Sequence, residues 1–205
     1  MPKKSTTLYK EFEKKINSIN KTILRFESAF NSRIISDEDI KEAYAGLYLE
    51  VFTEFEGILE ELFLGLVTGT ITHVNSAVVR LIKITPSINA IDVLLSGKKY
   101  LDWLPYESNT LERAKIYLID KKPFSFVNST LLIKLGHYHK IRHAIAHKSK
   151  KAKDDFNTII SGLSLLPIEK TPKGYLRNVP NPRVNKTQLE IACEDLQFIC
   201  HIICS

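Results

Sequence analysis

From Ile40 to Leu66 the apolar side chains Ile40, Tyr44, Leu47, Val51, Phe55, Ile58, Leu62 and Leu66 return at three- and four-residue steps. Only an α-helix gathers such positions on one face, so the stretch commits the chain to a long amphipathic helix whose stripe other elements must cover. "SDED" at 36–39 supplies a capping side chain and acids where a helix N-terminus favours them. A second stripe, Leu8, Phe12, Ile16, Ile19, Ile23, Phe26 and Phe30, predicts a partner helix over 7–30. The most apolar stretch, 47–69, carries Glu50, Glu54, Glu56, Glu60 and Glu61, too many acids for a bilayer span.

Residues 73–84 and 87–95 read as two shorter helices, or one broken at Pro86. "NTLE" (109–112) has the form of a capping box before a helix ending near Asp120, and the run from Asn128 to Lys148 is helical in period, weakened mildly by Gly136. Pro167, Pro172, Pro180 and Pro182 exclude regular helix over 165–186 and predict a short hairpin or an ordered loop. "TQLE" (187–190) restarts a helix that runs to the end of the chain. The expected fold is therefore all-α: a helical bundle of long antiparallel helices around one core, with an irregular Pro-rich loop or short hairpin before the C-terminal helix. With 205 residues, 44% of them apolar, the chain suffices for one well-buried domain over 1–205, comprising a motif-bearing core at about 40–150 and a C-terminal extension at about 154–205.

The basic start "MPKKSTTLYKEFEKK" has no apolar run behind it, so it does not read as a secretory signal. Cys193, Cys200 and Cys204 lie on one predicted helix and cannot staple distant loops, which places the chain in a reducing cytoplasm, with no membrane partner. A formal net charge of +6 favours a polyanionic partner; RNA, DNA and an acidic protein all fit.

"KLGHYHKIRHAIAHKSKKAK" (134–153) holds four of the six histidines. On a helical wheel Leu131, Leu135, Tyr138, Ile141 and Ile145 form an apolar arc, and Arg142 falls inside it. An arginine there snorkels along the core, pairs with a buried carboxylate, or faces another subunit. His139, His143 and His147, at i, i+4 and i+8, make a second stripe beside the arc. Two histidines one turn apart can share zinc when a third ligand arrives from elsewhere, but no Asp or Glu occurs between Asp120 and Asp154 to supply one locally. The expectation is no metal and no cofactor.

Arg142, His143, Ala144, Ile145, Ala146 and His147 resemble the signature of HEPN (higher eukaryotes and prokaryotes nucleotide-binding) ribonuclease domains: an arginine, a polar residue that is most often asparagine, three further residues and a histidine. Histidine stands here where asparagine is commoner. The acidic-aromatic run "FTEFEGILEELF" adds to the likeness, which covers about residues 40–150 and is nearest the RiboL-PSP type of HEPN domain. The resemblance implies a metal-independent endoribonuclease of toxin–antitoxin or anti-phage kind, acting on tRNA, rRNA or mRNA, restrained by an antitoxin or regulatory partner. It also implies a homodimer whose two motif helices line one composite cleft. Geometry asks for the same pairing, because Arg142 and His147 lie about 140° apart around one helix and roughly 7.5 Å apart along it.

RNA cleavage without metal needs a base for the ribose 2′-OH, a cation at the phosphorane and an acid for the departing 5′ oxygen. His147 is the candidate acid or base and Arg142 the candidate cation. His143 orients His147 or binds phosphate. Glu54 and Glu56 flank the apolar arc of the long helix, and either could pair with Arg142; Glu56 is favoured by its likeness to an acidic family position. Lys140, Lys148, Lys150, Lys151 and Lys153 are candidate RNA-backbone contacts. Cys200, His201 and Cys204 are expected to be reduced and packed rather than metal-binding, and Trp103, Tyr100 and Tyr106 to plug a core rather than stack on bases. The rival readings are a non-catalytic HEPN-like module that holds RNA or nucleotide or serves in assembly, and a metal-binding bundle built on the three-histidine stripe.

Overall fold

The computed structural model describes residues 2–82, 84 and 101–205. The fold is an all-α helical bundle. Helices α1 (Ser5–Asn31) and α2 (Asp37–Thr68) follow the two stripes read from the sequence. The start of α2 is a capping box: Ser36 Oγ accepts the Asp39 N–H at 3.2 Å while Asp39 Oδ2 accepts the Ser36 N–H at 2.9 Å. The Ser36 hydroxyl and amide together hold the Asp39 carboxyl below its ordinary range. Further α-helices among the described residues are α3 (Glu112–Tyr117), α4 (Ser129–Ala146), α5 (Lys150–Ile160), α6 (Pro172–Arg177) and α7 (Gln188–Cys204).

The chain divides into two compact units, each made of separate stretches. One comprises the described residues of Met1–Glu13, Glu54–Gly136 and Gln197–Ser205, the other Lys14–Thr53 and His137–Leu196. In both, α1 and α2 run antiparallel. The first unit pairs Lys3 with Glu61 and the Phe12 ring with Phe55; the second pairs Lys15 with Glu50 and Glu27 with Tyr44. At the outer end of the first unit, a two-residue strand β1 (Lys3–Lys4) lies parallel to β2 (Ile71–Thr72), in the register Lys3↔Ile71 and Lys4↔Thr72.

Phe63 centres the first unit's core, with the Trp103, Tyr117 and Phe124 rings at 5.3, 5.6 and 6.3 Å. Trp103 is buried and donates its Nε1–H to Glu60 at 3.0 Å, so it is the core plug the sequence suggested, and Tyr106 is buried with it. Tyr100 lies outside the described residues. The second unit closes on Ile16, Ile19, Tyr44, Tyr48, Phe52 and Phe156, all buried. Arg177 crosses its edge, with Nε and Nη2 each 3.0 Å from a Glu27 oxygen and the guanidinium 4.5 Å over the Phe30 ring.

Four expectations need correction. Residues 73–82 are not helical: Asn75 Oδ1 accepts the Ala77 N–H, and Arg80 bridges antiparallel to Leu118. The β-branched residues Val78 and Val79 suit that extended path better than a helix. The 87–95 segment lies outside the described residues. The helix expected at 109–120 begins earlier, as a π-helical turn over Tyr106–Leu111 that leads into α3; Asn109 sits inside it and donates Nδ2–H to the Leu104 carbonyl instead of capping. The basic exit at 148–153 runs through the Ser149 cap into the first turn of α5, held down by buried Ala152 and Phe156. Over 165–186 the chain forms neither hairpin nor plain loop, because Pro172 takes the first position of α6, where its missing N–H costs no hydrogen bond, and Thr171 caps the turn by accepting the Gly174 N–H at 3.1 Å.

A Cβ at position 174 would collide with the Ile168 carbonyl oxygen, so glycine there lets the 3₁₀ turn Pro167–Lys170 lie against α6. Gly174→Ala is expected to cost about 1–3 kcal/mol of stability through backbone displacement, read as a lower urea midpoint. A midpoint equal to that of the unsubstituted chain would mean that residues 168–174 shift without cost.

Candidate functional site

The motif helix α4 is fixed at both ends by its own sequence. Asn128 Oδ1 accepts the Leu131 N–H at 3.0 Å at the start. At the other end His147 follows the last helical residue yet still donates its N–H to the His143 carbonyl at 2.9 Å, so it is the C-cap. Two residues on, Ser149 Oγ accepts the Ala152 N–H at 3.2 Å and starts α5.

The predicted arc and stripe are both present. Leu131, Leu135, Tyr138 and Ile141 are buried, while Ile145, where the arc leaves the core, is half-buried. Arg142 and His143 are half-buried and His147 is exposed. The histidine rings lie in file, 6.4 Å between the His139 and His143 centroids and 4.4 Å between those of His143 and His147. Helix spacing brings the last pair into contact with their planes tilted by 48°.

Charge at this corner is one-sided. Partial burial, then the neighbouring His147, Lys151 and Arg142, hold His143 below the ordinary imidazole range, with Asp155 opposing weakly. Lys148, Lys150, Lys151 and Lys153 are exposed, and only Lys151 has an ion-pair partner among the described residues, Asp155 at 3.7 Å. Lys150, Lys151 and Lys153 also occupy the first turn of α5, where the helix dipole already presents positive partial charge. Lys140 is half-buried on α4 itself.

The structure brings Arg142, His143, His147 and the lysines together on one short stretch of the second unit. Glu54, exposed, and Glu56, half-buried, belong to the first unit. Among the described residues no three His, Cys, Asp or Glu side chains are arranged to hold a metal ion. Cys193, Cys200 and Cys204 are free thiols, all buried, and burial with Glu190 and Glu194 nearby pushes Cys193 up to about 12, so it stays protonated. No helix of the described residues is long and apolar enough to cross a membrane. Sequence pattern did not reveal α5 as a helix, although Ser149 before Ala152 and Phe156 at a four-residue step carried the signal.

No protein-family model, curated protein or solved structure matches this chain.

A depressed His143 has a definite consequence for titration. Its ring should titrate below the ordinary 6.5 in NMR spectra, and Lys151→Gln should move the midpoint back upward. The unfolded chain then takes up this proton first as the pH falls. His143 thus withdraws stability between its ordinary value and its lower folded value, and His143→Gln should flatten that part of the profile. A midpoint at or above the ordinary value would show that the neighbouring cations do not reach the ring.

Proposed function

We propose that this protein is a metal-independent RNA endonuclease of the HEPN kind, working as a homodimer with Arg142 and His147 of both copies in one cleft. The observation that carries the reading is the corner itself: a histidine C-cap whose ring packs, tilted by 48°, 4.4 Å from a second histidine, an arginine on the same helical turn, and a following helix that opens with lysines. Such a corner is suited to a phosphodiester, which needs cations at its oxygens and proton carriers near neutrality.

In the proposed reaction the ribose 2′ oxygen attacks phosphorus as one His147 takes its proton. The bond from phosphorus to the 5′ oxygen breaks, and the protonated His147 of the second copy gives that oxygen a proton. The products are a 2′,3′-cyclic phosphate and a 5′-OH, with no electron transferred and no water consumed. Arg142 stabilises the charge that builds on the non-bridging oxygens. DNA lacks the 2′-OH and is not cut. A HEPN-like module that binds RNA without cutting it is the second reading, favoured by the number of exposed lysines relative to proton-transferring groups.

The test is incubation of the protein with total tRNA and a single-stranded RNA in excess EDTA, with fragment ends mapped. His147→Ala should slow cleavage by roughly 100- to 10,000-fold and Arg142→Ala by about 100- to 1,000-fold, both with unchanged helical circular dichroism. Undiminished cutting by both variants refutes the site; intact RNA with the unsubstituted protein leaves the binding module as the better reading. Sedimentation at micromolar concentration should give a dimer, and a monomer alone would remove the composite cleft.

A further inference from the structure

The corner has a neighbour that the proposed reaction does not use. In the second unit a groove of ≈ 490 Å³ opens beside α4, within the size range of pockets that hold small molecules. Ala144, Ile145, Ile168 and Pro172 give it apolar walls, and Lys148 and Lys173 stand on its lining. Lys41 and Glu38 also line it, but Lys41 is already committed to Asp37 and Glu38. Lys173 is likewise committed to Glu42 on α2, which leaves Lys148, with no ion pair among the described residues, as the cation free to meet an anion.

Helix geometry relates the groove to the histidines. Taking His143 as origin, His147 lies at about 40°, Ala144 at about 100° and Ile145 at about 200° around α4, whereas Arg142 lies about 100° the other way; Lys148 follows the C-cap and lines the groove from beyond the helix end. The histidine stripe therefore has the arginine on one flank and the groove on the other. A chain of nucleotides whose phosphodiester sits at the stripe passes into the groove on the side away from Arg142.

We infer that this groove is a nucleotide subsite, holding one residue of single-stranded RNA next to the scissile bond. Its base lies against Ala144, Ile145, Ile168 and Pro172, and its phosphate lies at Lys148. The inference rests on the proposed nuclease reading for its orientation but not for its occupancy, which is measured without cleavage. Charge complementarity selects the occupant: apolar walls alone would take any greasy ligand, but an unpaired lysine beside them selects an anion with a flat apolar body. Apolar walls suit an unstacked base, which a single strand can turn out and a paired strand keeps inside its stack.

The test uses a short 2′-O-methyl oligouridylate, which cannot be cleaved, with binding followed by fluorescence anisotropy. Ile168→Glu puts a carboxylate on the groove wall at a position already 47% exposed, so the fold tolerates it, and binding should weaken about tenfold. Leu166→Glu makes the same charge change two residues away, at a 64% exposed position that does not line the groove, and should bind nearly as the unsubstituted chain does. Lys148→Gln should lower the slope of log affinity against log salt by about 0.7, one phosphate contact on a single strand. Equal weakening by the two glutamate variants, or an unchanged salt slope, overturns the subsite. Displacement of the oligonucleotide by poly-glutamate as effective as displacement by RNA would assign the groove to an acidic protein segment and also overturn it. If the uncleavable RNA binds as expected while cleavable RNA survives intact, the nuclease reading fails and the subsite stands; cleavage lost in His147→Ala with binding indifferent to Ile168→Glu gives the reverse.

Discussion

The second unit depends on Tyr138. Its hydroxyl donates to Asp195 on α7, and its backbone carbonyl accepts the buried Tyr48 hydroxyl of α2 at 2.9 Å. That carbonyl is also the one that the Arg142 N–H reaches in a regular helix, so a neighbouring helix is tied to the turn that carries the motif. Both phenols are kept firmly protonated by burial, reinforced for Tyr138 by the Asp195 carboxylate. Two hydrogen bonds from one residue thereby fix the rotation of α4 about its own axis. With the rotation fixed, the arc goes inward, and His139, His143 and His147 have nowhere to go but the flank.

Beyond α4 the chain meets a conflict that is settled in favour of charge. A helix C-terminus succeeded closely by a helix N-terminus juxtaposes opposite partial charges, and acids in the first turn of α5 would be the stabilising choice. The chain places Lys150, Lys151 and Lys153 there instead, with Asp155 as the acid that answers one of them. Other cations of the chain are answered by acids, Lys3 by Glu11 and Glu61 and Arg177 by Glu27 and Asp37. Phe156 and Ala152, both buried, supply the packing that lets α5 tolerate its own first turn.

The elements that the sequence made legible are those where period and cap agree. Ser36 with Asp39, and Thr187 with Glu190, are capping boxes in the structure as in the string of letters, and the stripes between 8 and 66 are buried on α1 and α2 except at the half-buried Phe26, Phe30 and Leu47. The motif helix was legible to within a residue or two at each end, together with its arc and its histidine file. The failures share a cause: local pattern was outvoted by contacts that no local pattern records. Asn109 looked like a cap, but the Leu104 carbonyl claims its side chain. The prolines of 165–186 looked like breakers, but Pro172 stands at the one helical position that welcomes it. The groove was not legible at all, since its walls come from α2, α4 and the 168–173 segment, and α2 lies far from the other two in sequence.

That separation bears on what the C-terminal stretch does. Ile168, Thr171, Pro172 and Lys173 belong to the stretch that the sequence read only as an extension, yet they line a groove with the motif helix. Gly174 allows their approach, because any side chain there would drive α6 away from Ile168. Arg177 then anchors the far end of α6 on Glu27 with two hydrogen bonds and a stacked ring, a geometry that lysine cannot reproduce. The segment is thus held by a capped proline turn at Thr171–Pro172 and a bidentate clamp at Arg177, which together fix Pro172 and Lys173 on the groove lining, with Ile168 just before them.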